Sequence, residues 1–542
     1  MSVLPIRQPE AGEASEPAMP SAVPSAAQPP VAPAKARDKI KTVDELAEIA
    51  KTWRRQGRKI ALAHGCFDLM HMGHVRHLEA ARAEGQALFV TITTDRFVNK
   101  GPGRPVFPDL FRAEMIAALE CVDYVAISQW PTGEGVLHLV RPDVYVKGSD
   151  YKNEDEDITG KISKEKEIIE GYGGRIVFTD DITFSSSNLI NRHLAVFDPA
   201  VNAYLSEHRP TDMLKRVLTA IESVQNKRVL LIGDTIVDEY QYAVPMGKTP
   251  KENMIAARFE NRELFAGGVI AAANHVADFC GEVEVLSVLG EKESHEGLIR
   301  KSLKSNVSCD FLFRADVPTT RKCRFVDPGH MRKLFEVYHF DETPIEGRIE
   351  RQLGELIVRK ARDADVVIVT DFGHGMVTAK TIETVTEHAP FLAVNAQSNS
   401  ANHGYNLITK YAKADYVCID APEARLALHD RFTDLGELIE NRLAPSLGCD
   451  RLIVTHGKNG CVTYDKAVGL SRIPAFTQQV IDTVGAGDAF LAITSPIVAA
   501  GAPMEVAGFI GNAVGALKVG IVGHRQSVEK VPLTKFVTTL LK

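Results

Sequence analysis

The chain has 542 residues, too many for one ordinary hydrophobic core, so two or three domains are expected, each able to bury an interior. Its formal net charge of −7 gives no support to a nucleic-acid reading, which would want a basic stripe or domain, while phosphorylated small ligands stay open, because loops and helix N-termini bind them locally. No stretch reaches the roughly 18 to 20 apolar residues of a membrane helix, and the eight cysteines show neither a CxxC pair nor zinc-ligand spacing.

Residues 1–37 are rich in Pro, Ala, Ser and Glu and read as a disordered tail. The start MSVLPIRQPEAGEASEP lacks the basic residues and apolar run of a secretory signal. Together with scattered thiols, that favours a cytoplasmic location. From Asp38 the order is helical and strand-like in alternation. TVDELAEIAKTWRRQG has helical periodicity, KIALAHGCFD reads as a buried strand, HVRHLEAARAEG as a helix and ALFVTITTD as a strand. RAEMIAALECV, DYVAIS, DVYVKG and RIVFTDD continue the alternation, which predicts a parallel sheet covered on both faces over 38–205. TDMLKRVLTAIESVQ reads as a linker helix over 206–226. A second α/β pattern fills 227–542, with strands at KRVLLIGDTIVDEY, VEVLSVLG, DVVIVTDFG, YVCID and RLIVTHG. Residues 320–340 alternate as antiparallel strands flanking that sheet would, and two buried helices follow, rich in Ala and Gly.

The first chemical signal is His64-Gly65-Cys66-Phe67-Asp68-Leu69-Met70-His71-Met72-Gly73-His74, placed where a strand gives way to a helix. Gly73 permits close backbone approach. His71 and His74, three residues apart, share one face of the first turn and suit a phosphate that gains charge during transfer. The string resembles the G-x-F-D-x-x-H-x-G-H motif of the cytidylyltransferase-like nucleotidyltransferases, a resemblance that runs from Lys59 to Leu194. Val146-Lys147-Gly148-Ser149-Asp150-Tyr151 is similar to the V-K-G-x-D-Y run of the bacterial heptose 1-phosphate adenylyltransferases. Phe184 to Ile190 resembles the Ser- and Thr-rich element that closes that fold.

The resemblance implies that His71 and His74 stabilise the transferring α-phosphate. It implies nucleotide contacts at Gly65, Phe67, Asp95, Lys100, Arg112, Ser185, Ser186 and Ser187, with Arg104 in the loop after Lys100. Lys147 and Asp150 would meet the sugar phosphate. The reaction would be attack of a sugar phosphate on a nucleoside triphosphate with release of pyrophosphate, assisted by Mg²⁺. The VKGSDY run favours ATP, and CTP stays open.

The second signal is Asp482-Thr483-Val484-Gly485-Ala486-Gly487-Asp488-Ala489-Phe490, opening an apolar helix. Gly485, Ala486 and Gly487 leave backbone N–H groups free to form an anion hole, and Asp488 at its edge can take a proton from an attacking hydroxyl. The string resembles the signature of the ribokinase-like (PfkB) sugar kinases over nearly all of 227–542. That resemblance implies sugar contacts at Asp234, Asp238, Gly267, Gly268 and Asn274, the last with extra residues before it. It implies a nucleotide loop at Thr455, Gly457 and Gly460, Asn512 near adenine, and Glu423 organising Mg²⁺ through water.

The combination resembles the bifunctional heptose 7-phosphate kinase/heptose 1-phosphate adenylyltransferases, with the domain order reversed. An α/β protein is therefore expected: a Rossmann-like nucleotidyltransferase, then a ribokinase-like doubly wound sheet with a small β flap. The implied substrate is a small sugar phosphate, with ATP and Mg²⁺, no nucleic acid and no membrane, in a homo-oligomer, with 320–340 as the candidate contact of a dimer. One departure stands out. Where the family has a D-P-K type strand end, this chain reads Asn395-Ala396-Gln397-Ser398. Two alternatives stay open: another sugar or polyol phosphate with CTP, or a weak, sugar-sensing kinase-like domain.

Overall fold

The computed structural model describes residues 34–98, 104–148, 161–179, 197–477 and 479–542. Lys100, Asp150, Ser185, Ser186 and Ser187, and most of the expected tail, lie outside the described residues. The last residues of that tail are not free chain: Ala34–Arg37 forms a helical turn, and Ala36 is buried in the first domain's core.

The first domain carries β1 (Ile40–Lys41), β2 (Ile60–Gly65), β3 (Ala87–Thr93), β4 (Tyr124–Ser128), β5 (Val144–Gly148) and β6 (Arg175–Thr179). They pair in the order β1-β4-β3-β2-β5-β6, all parallel. The uninterrupted apolar runs bury both faces. Ala61, Ala63, Leu88 and Val90 pack on one side, and Ile60, Leu62, Ala87 and Phe89 on the other. The helix Val43–Arg55 begins with a capping box, Glu45 N–H donating to Thr42 Oγ1 at 3.2 Å and Thr42 N–H to Glu45 at 2.8 Å. Strand order reverses between β2 and β5, so Gly65 ends its strand at a switch point, the crevice where such sheets take ligands.

The second domain has a nine-stranded sheet made of β7 (Arg228–Gly233), β10 (Glu282–Lys292), β11 (Val307–Pro318), β14 (Val366–Asp371), β15 (Leu392–Ala396), β16 (Tyr416–Asp420), β17 (Arg451–Thr455), β18 (Cys461–Asp465) and β19 (Gly469–Ile473). The order is β11-β10-β7-β14-β15-β16-β17-β18-β19, parallel as far as β17 and antiparallel beyond it. A separate four-stranded flap, β13-β12-β8-β9, is built from β8 (Thr235–Lys248), β9 (Ile255–Gly268), β12 (Arg321–Asp327) and β13 (Arg332–His339). The antiparallel pair expected at 320–340 is β12 and β13. The stretch read as one strand from Lys227 to Tyr240 divides at Asp234: β7 lies in the main sheet and β8 in the flap, which puts Asp234 at their seam. Among the described residues no helix is long and apolar enough to cross a membrane.

The expected linker segment 206–226 needs correction. Its helix Met213–Glu222 buries Met213, Val217 and Ile221 in the second domain's core, beside Val229, Leu231, Phe509 and Phe536. The preceding helix Pro199–His208 adds Val201 and Leu205 to the same core. These residues recur at helical spacing, so one face is apolar and is covered by the kinase-like sheet's outer helices. Ile221→Ala is therefore expected to cost the second domain about 2–5 kcal/mol, the usual range for a buried Ile truncation. Hydrogen exchange of the β7 amides in graded urea measures it; a change within about 0.5 kcal/mol would mark a solvated linker instead.

Candidate active sites

The first site grows from the end of β2. After Gly65 the chain passes through Phe67, at φ +48°, and enters the helix Met72–Ala83 with His71 as its N-cap. His71 Nδ1 accepts the Gly73 N–H at 3.1 Å, so a neutral His71 carries its proton on Nε2. The His71 and His74 rings stand 4.0 Å apart, tilted by 31°, and Phe67 meets His74 edge-on at 5.4 Å. Burial lowers the His71 pKa, which keeps it a neutral donor near pH 7. Behind them, burial and then the Lys147 charge push His64 down to about 3, and its Nδ1 lies 2.9 Å from Thr91 Oγ1.

The expected phosphate cations are placed differently. Arg112 is fully buried, and its guanidinium donates to the carbonyls of Cys66, Thr93 and Phe107 and to Asp95 at 2.6 Å. With those donors engaged, it fixes the Gly65–Phe67 turn and Asp95 rather than reaching a nucleotide. Lys147 forms a buried ion pair with Glu165 at 2.9 Å, and Arg104 pairs with Asp68 at 3.2 Å, both nearly inaccessible. The described part of this site thus presents two imidazoles and backbone, backed by internally neutralised cations.

The second site is assembled at the start of the helix Ala486–Ala499. Gly485, at φ +75°, lets the His524 imidazole lie where a Cβ would stand, and nothing lies within 4 Å of a Cβ at Gly487. Asp488 sits in the first turn, 8% exposed, and burial raises its pKa. Gln397, from the altered strand end, donates to Asp488 Oδ1 at 2.6 Å. The loop is braced from behind by Lys518, wholly buried, which donates to Val484 O at 2.7 Å and Gly523 O at 2.8 Å.

Asp234 and Asp238 both lie against the glycine pair. A Cβ at Gly267 would strike the Asp238 carboxylate, and one at Gly268 (φ +59°) would strike the Asp234 carbonyl. Asp234 accepts the N–H groups of Phe372 at 3.0 Å and His374 at 3.4 Å, while burial, then the Asp371 charge, push it up to about 6. Burial also works against Asp238, but the Arg324 guanidinium and His524, 3.2 Å away, outweigh it and hold Asp238 well below the usual carboxylate range.

Asn274 is not brought to this pocket. Its amide donates to Ser302 O at 2.9 Å and accepts the Lys304 N–H at 3.1 Å, because two extra residues rotate it roughly 200° around the helix. Thr455 closes β17, and Gly457 and Gly460, both at positive φ, turn the chain into β18. Asn512 is committed to the carbonyls of Ile473 at 3.0 Å and Pro474 at 3.1 Å, tying its helix to the end of β19. Glu423 accepts the N–H groups of Ser398 at 3.0 Å and Asp420 at 3.3 Å. Burial and the adjacent Asp420 carboxylate raise its pKa. A divalent cation would fit beside this half-buried Glu423 and the exposed Asp420, because its charge would relieve the repulsion that Asp420 exerts on Glu423 while phosphates and water complete its shell.

Sequence reasoning missed Lys322, Arg324, Lys518 and His524, and met Gln397 only as a departure from the family's strand end. Lys518 alone left a local trace, as the basic residue closing the apolar helix Met504–Lys518. A pH effect follows from Asp234. Its folded pKa lies above its unfolded one, so the native state binds the extra proton and stability falls as pH rises from about 4 to about 6. Asp234→Asn should remove that slope, a difference on the order of 3 kcal/mol between pH 4 and pH 7 in urea unfolding; parallel profiles would contradict it.

Residues 226–531 match the pfkB family carbohydrate kinases, and residues 62–192 match the cytidylyltransferase-like family. Bifunctional protein HldE of Methylobacillus flagellatus is 41% identical over 160 residues, 29% of this chain and 31% of that protein. Bifunctional protein HldE of Gluconobacter oxydans is 38% identical over 152 residues, 28% of this chain and 30% of that protein. The chain therefore spans about a third of the length of these curated relatives. Phosphofructokinase-2 from Escherichia coli, solved with potassium, is 16% identical with a TM-score of 0.48, covering 59% of this chain and all of that one. With a match over more than half its length, this chain belongs to the pfkB family of carbohydrate kinases and carries a cytidylyltransferase-like domain ahead of the kinase domain.

Proposed function

We propose that the chain makes a nucleotide-activated sugar in two separate transfers. The kinase domain phosphorylates a sugar phosphate with ATP and Mg²⁺, heptose 7-phosphate being the acceptor that the adenylyltransferase-like V-K-G-x-D-Y run favours. The first domain transfers a nucleotidyl group to the sugar 1-phosphate, giving ADP-heptose and pyrophosphate. The observation that carries this reading is the placement of Asp488 in the first helical turn behind Gly485 and Gly487. There the carboxylate can take the acceptor's proton while backbone N–H groups stabilise the phosphoryl group in transit. Sugar hydroxyls would bind Asp234 and Asp238, and Glu423 with Asp420 would hold the metal that neutralises the triphosphate. In the first domain, Nε2–H of His71 and the His74 ring would donate to the α-phosphate, with no covalent intermediate.

One observation favours a second reading. Gln397 occupies Oδ1 of Asp488, and an amide there competes with the acceptor hydroxyl, as a weak, sugar-sensing domain would allow. A homodimer through the flap fits either reading, since Ile255, Phe259 and Phe335 leave 72%, 57% and 56% of their surfaces exposed.

Two substitutions separate these readings. Asp488→Asn should cut ATP-dependent phosphorylation about 10²–10⁴-fold and leave pyrophosphate release within twofold. His74→Ala should do the reverse, by about 10²–10³-fold. Phosphorylation unchanged in Asp488→Asn would reject the base role and leave the sensing reading.

A further inference from the structure

We propose that Lys518 is a positioning residue for phosphoryl transfer, its buried ammonium polarising the Val484–Gly485 peptide group so that the Gly485 N–H becomes a stronger donor of the anion hole. The inference rests on the kinase function proposed above and adds the fixed charge with which that hole works.

Lys518 closes the helix Met504–Lys518 and is fully buried. A lysine at a helix C-terminus ordinarily reaches its own last carbonyls or water. This one leaves its helix. Its ammonium donates to Val484 O at 2.7 Å, on the loop ahead of the helix Ala486–Ala499, and to Gly523 O at 2.8 Å, on the turn that follows its own helix. Its Cε lies 3.4 Å from the point that a Gly485 Cβ would occupy, so the stem runs along the backbone of the hole. Gly523 is held at both ends, since its N–H donates to Asp482 at 2.8 Å.

The surroundings favour the charged form without pairing it. Burial lowers the Lys518 pKa, while Asp482, Asp488 and Asp238 pull it up and Lys333 opposes them. Among the described residues Lys518 forms no ion pair: Asp482 pairs with Lys333, Asp238 with Arg324, and Asp488 accepts the Gln397 amide. Asp234 accepts the N–H groups of Phe372 and His374. Taking a cation out of water is costly, so one kept here points to work at the loop it touches.

Val484 C=O and Gly485 N–H are the two ends of one peptide group. A cation on the oxygen draws electron density through the amide and leaves the N–H more positive, an effect that a low dielectric strengthens. The Gly485 N–H has no hydrogen-bond partner among the described residues and is open to a ligand. In the transfer, the bond from the γ-phosphorus to the ADP oxygen breaks as the bond to the acceptor oxygen forms, and the acceptor's proton passes to Asp488. The charge spread over the phosphoryl oxygens then meets a donor polarised beforehand, which costs no reorganisation.

Steady-state kinetics of the full chain with ATP, Mg²⁺ and a sugar phosphate separate charge from bracing. Lys518→Gln keeps N–H donors for the two carbonyls but loses the charge. It should lower kcat about 10–10²-fold with KM for both substrates within about twofold. Lys518→Ala should lose at least as much, and regain about tenfold with methylammonium but nothing with tetramethylammonium, which has no N–H for the carbonyls. If Lys518→Gln does not fold, the Lys518→Ala rescue decides alone. Full kcat in Lys518→Gln, a rise in KM with kcat kept, or rescue that is absent or equal for both salts overturns the inference. A wild type that phosphorylates no sugar defeats the kinase reading and this inference with it; an active wild type matched by Lys518→Gln defeats this inference alone.

Discussion

The carboxylate of Asp482 is the point through which the flap, the Gly485–Gly487 loop and the turn at Gly523 are fastened together. From the flap it receives the Tyr240 hydroxyl at 2.6 Å and the Lys333 ammonium at 2.9 Å. From the turn after the helix Met504–Lys518 it receives Gly523 N–H at 2.8 Å, and from its own loop Val484 N–H at 3.1 Å. Burial alone would raise its pKa, but these donors outweigh burial and keep it ionised. Lys518 completes the clamp by bridging Val484 O and Gly523 O. The Gly485–Gly487 hole is therefore shaped before any ligand arrives, which is what electrostatic stabilisation of a transferring phosphoryl group requires. The flap that carries Asp238, Lys322 and Arg324 is fixed to the same carboxylate, so flap and loop keep a set geometry.

The two domains place their chemistry by one rule and manage charge by opposite means. The first site forms where the parallel strand β2 gives way to a helix and the second at the start of the helix that follows the antiparallel strand β19, so at both a helix N-terminus offers N–H groups and a partial positive charge. In the first domain the nearby cations Arg104, Arg112 and Lys147 are spent on Asp68, Asp95 and Glu165, and the His71 and His74 imidazoles remain at the site. In the second, buried acids and bases are concentrated in the pocket itself. Asp234, Glu423 and Asp488 are all held above their ordinary pKa values, poised to gain from a cation or a proton.

Local strings made the sites legible and long-range pairing completed them. His71, His74, Gly485 and Asp488 stood in contiguous motifs whose spacing fixes their geometry through one strand end and one helical turn. Lys322 and Arg324 could not be found that way, because only the register of β12 against β8 turns them toward Asp238. His524 lies in an unremarkable turn and matters through its approach to Gly485 and Asp238. Arg112 carried the right charge at the right motif distance, yet burial reassigns it to the backbone. Helical periodicity at 206–226 correctly gave an amphipathic helix, but periodicity does not say which core covers its apolar face, and the expected linker became part of the second domain. β9 and the far half of β8 escaped notice since their exposed ends are charged or mixed, and their pairing with each other supplies the order that composition does not.

The most direct test of two transferases acting on one phosphorylated sugar is mass spectrometry of the products formed by the purified chain. Heptose 7-phosphate and heptose 1-phosphate would each be offered with ATP or CTP and Mg²⁺. The account predicts a heptose bisphosphate from the first acceptor with ATP, and ADP-heptose with pyrophosphate from the second. No phosphorylated or nucleotidylated product from either acceptor would contradict it.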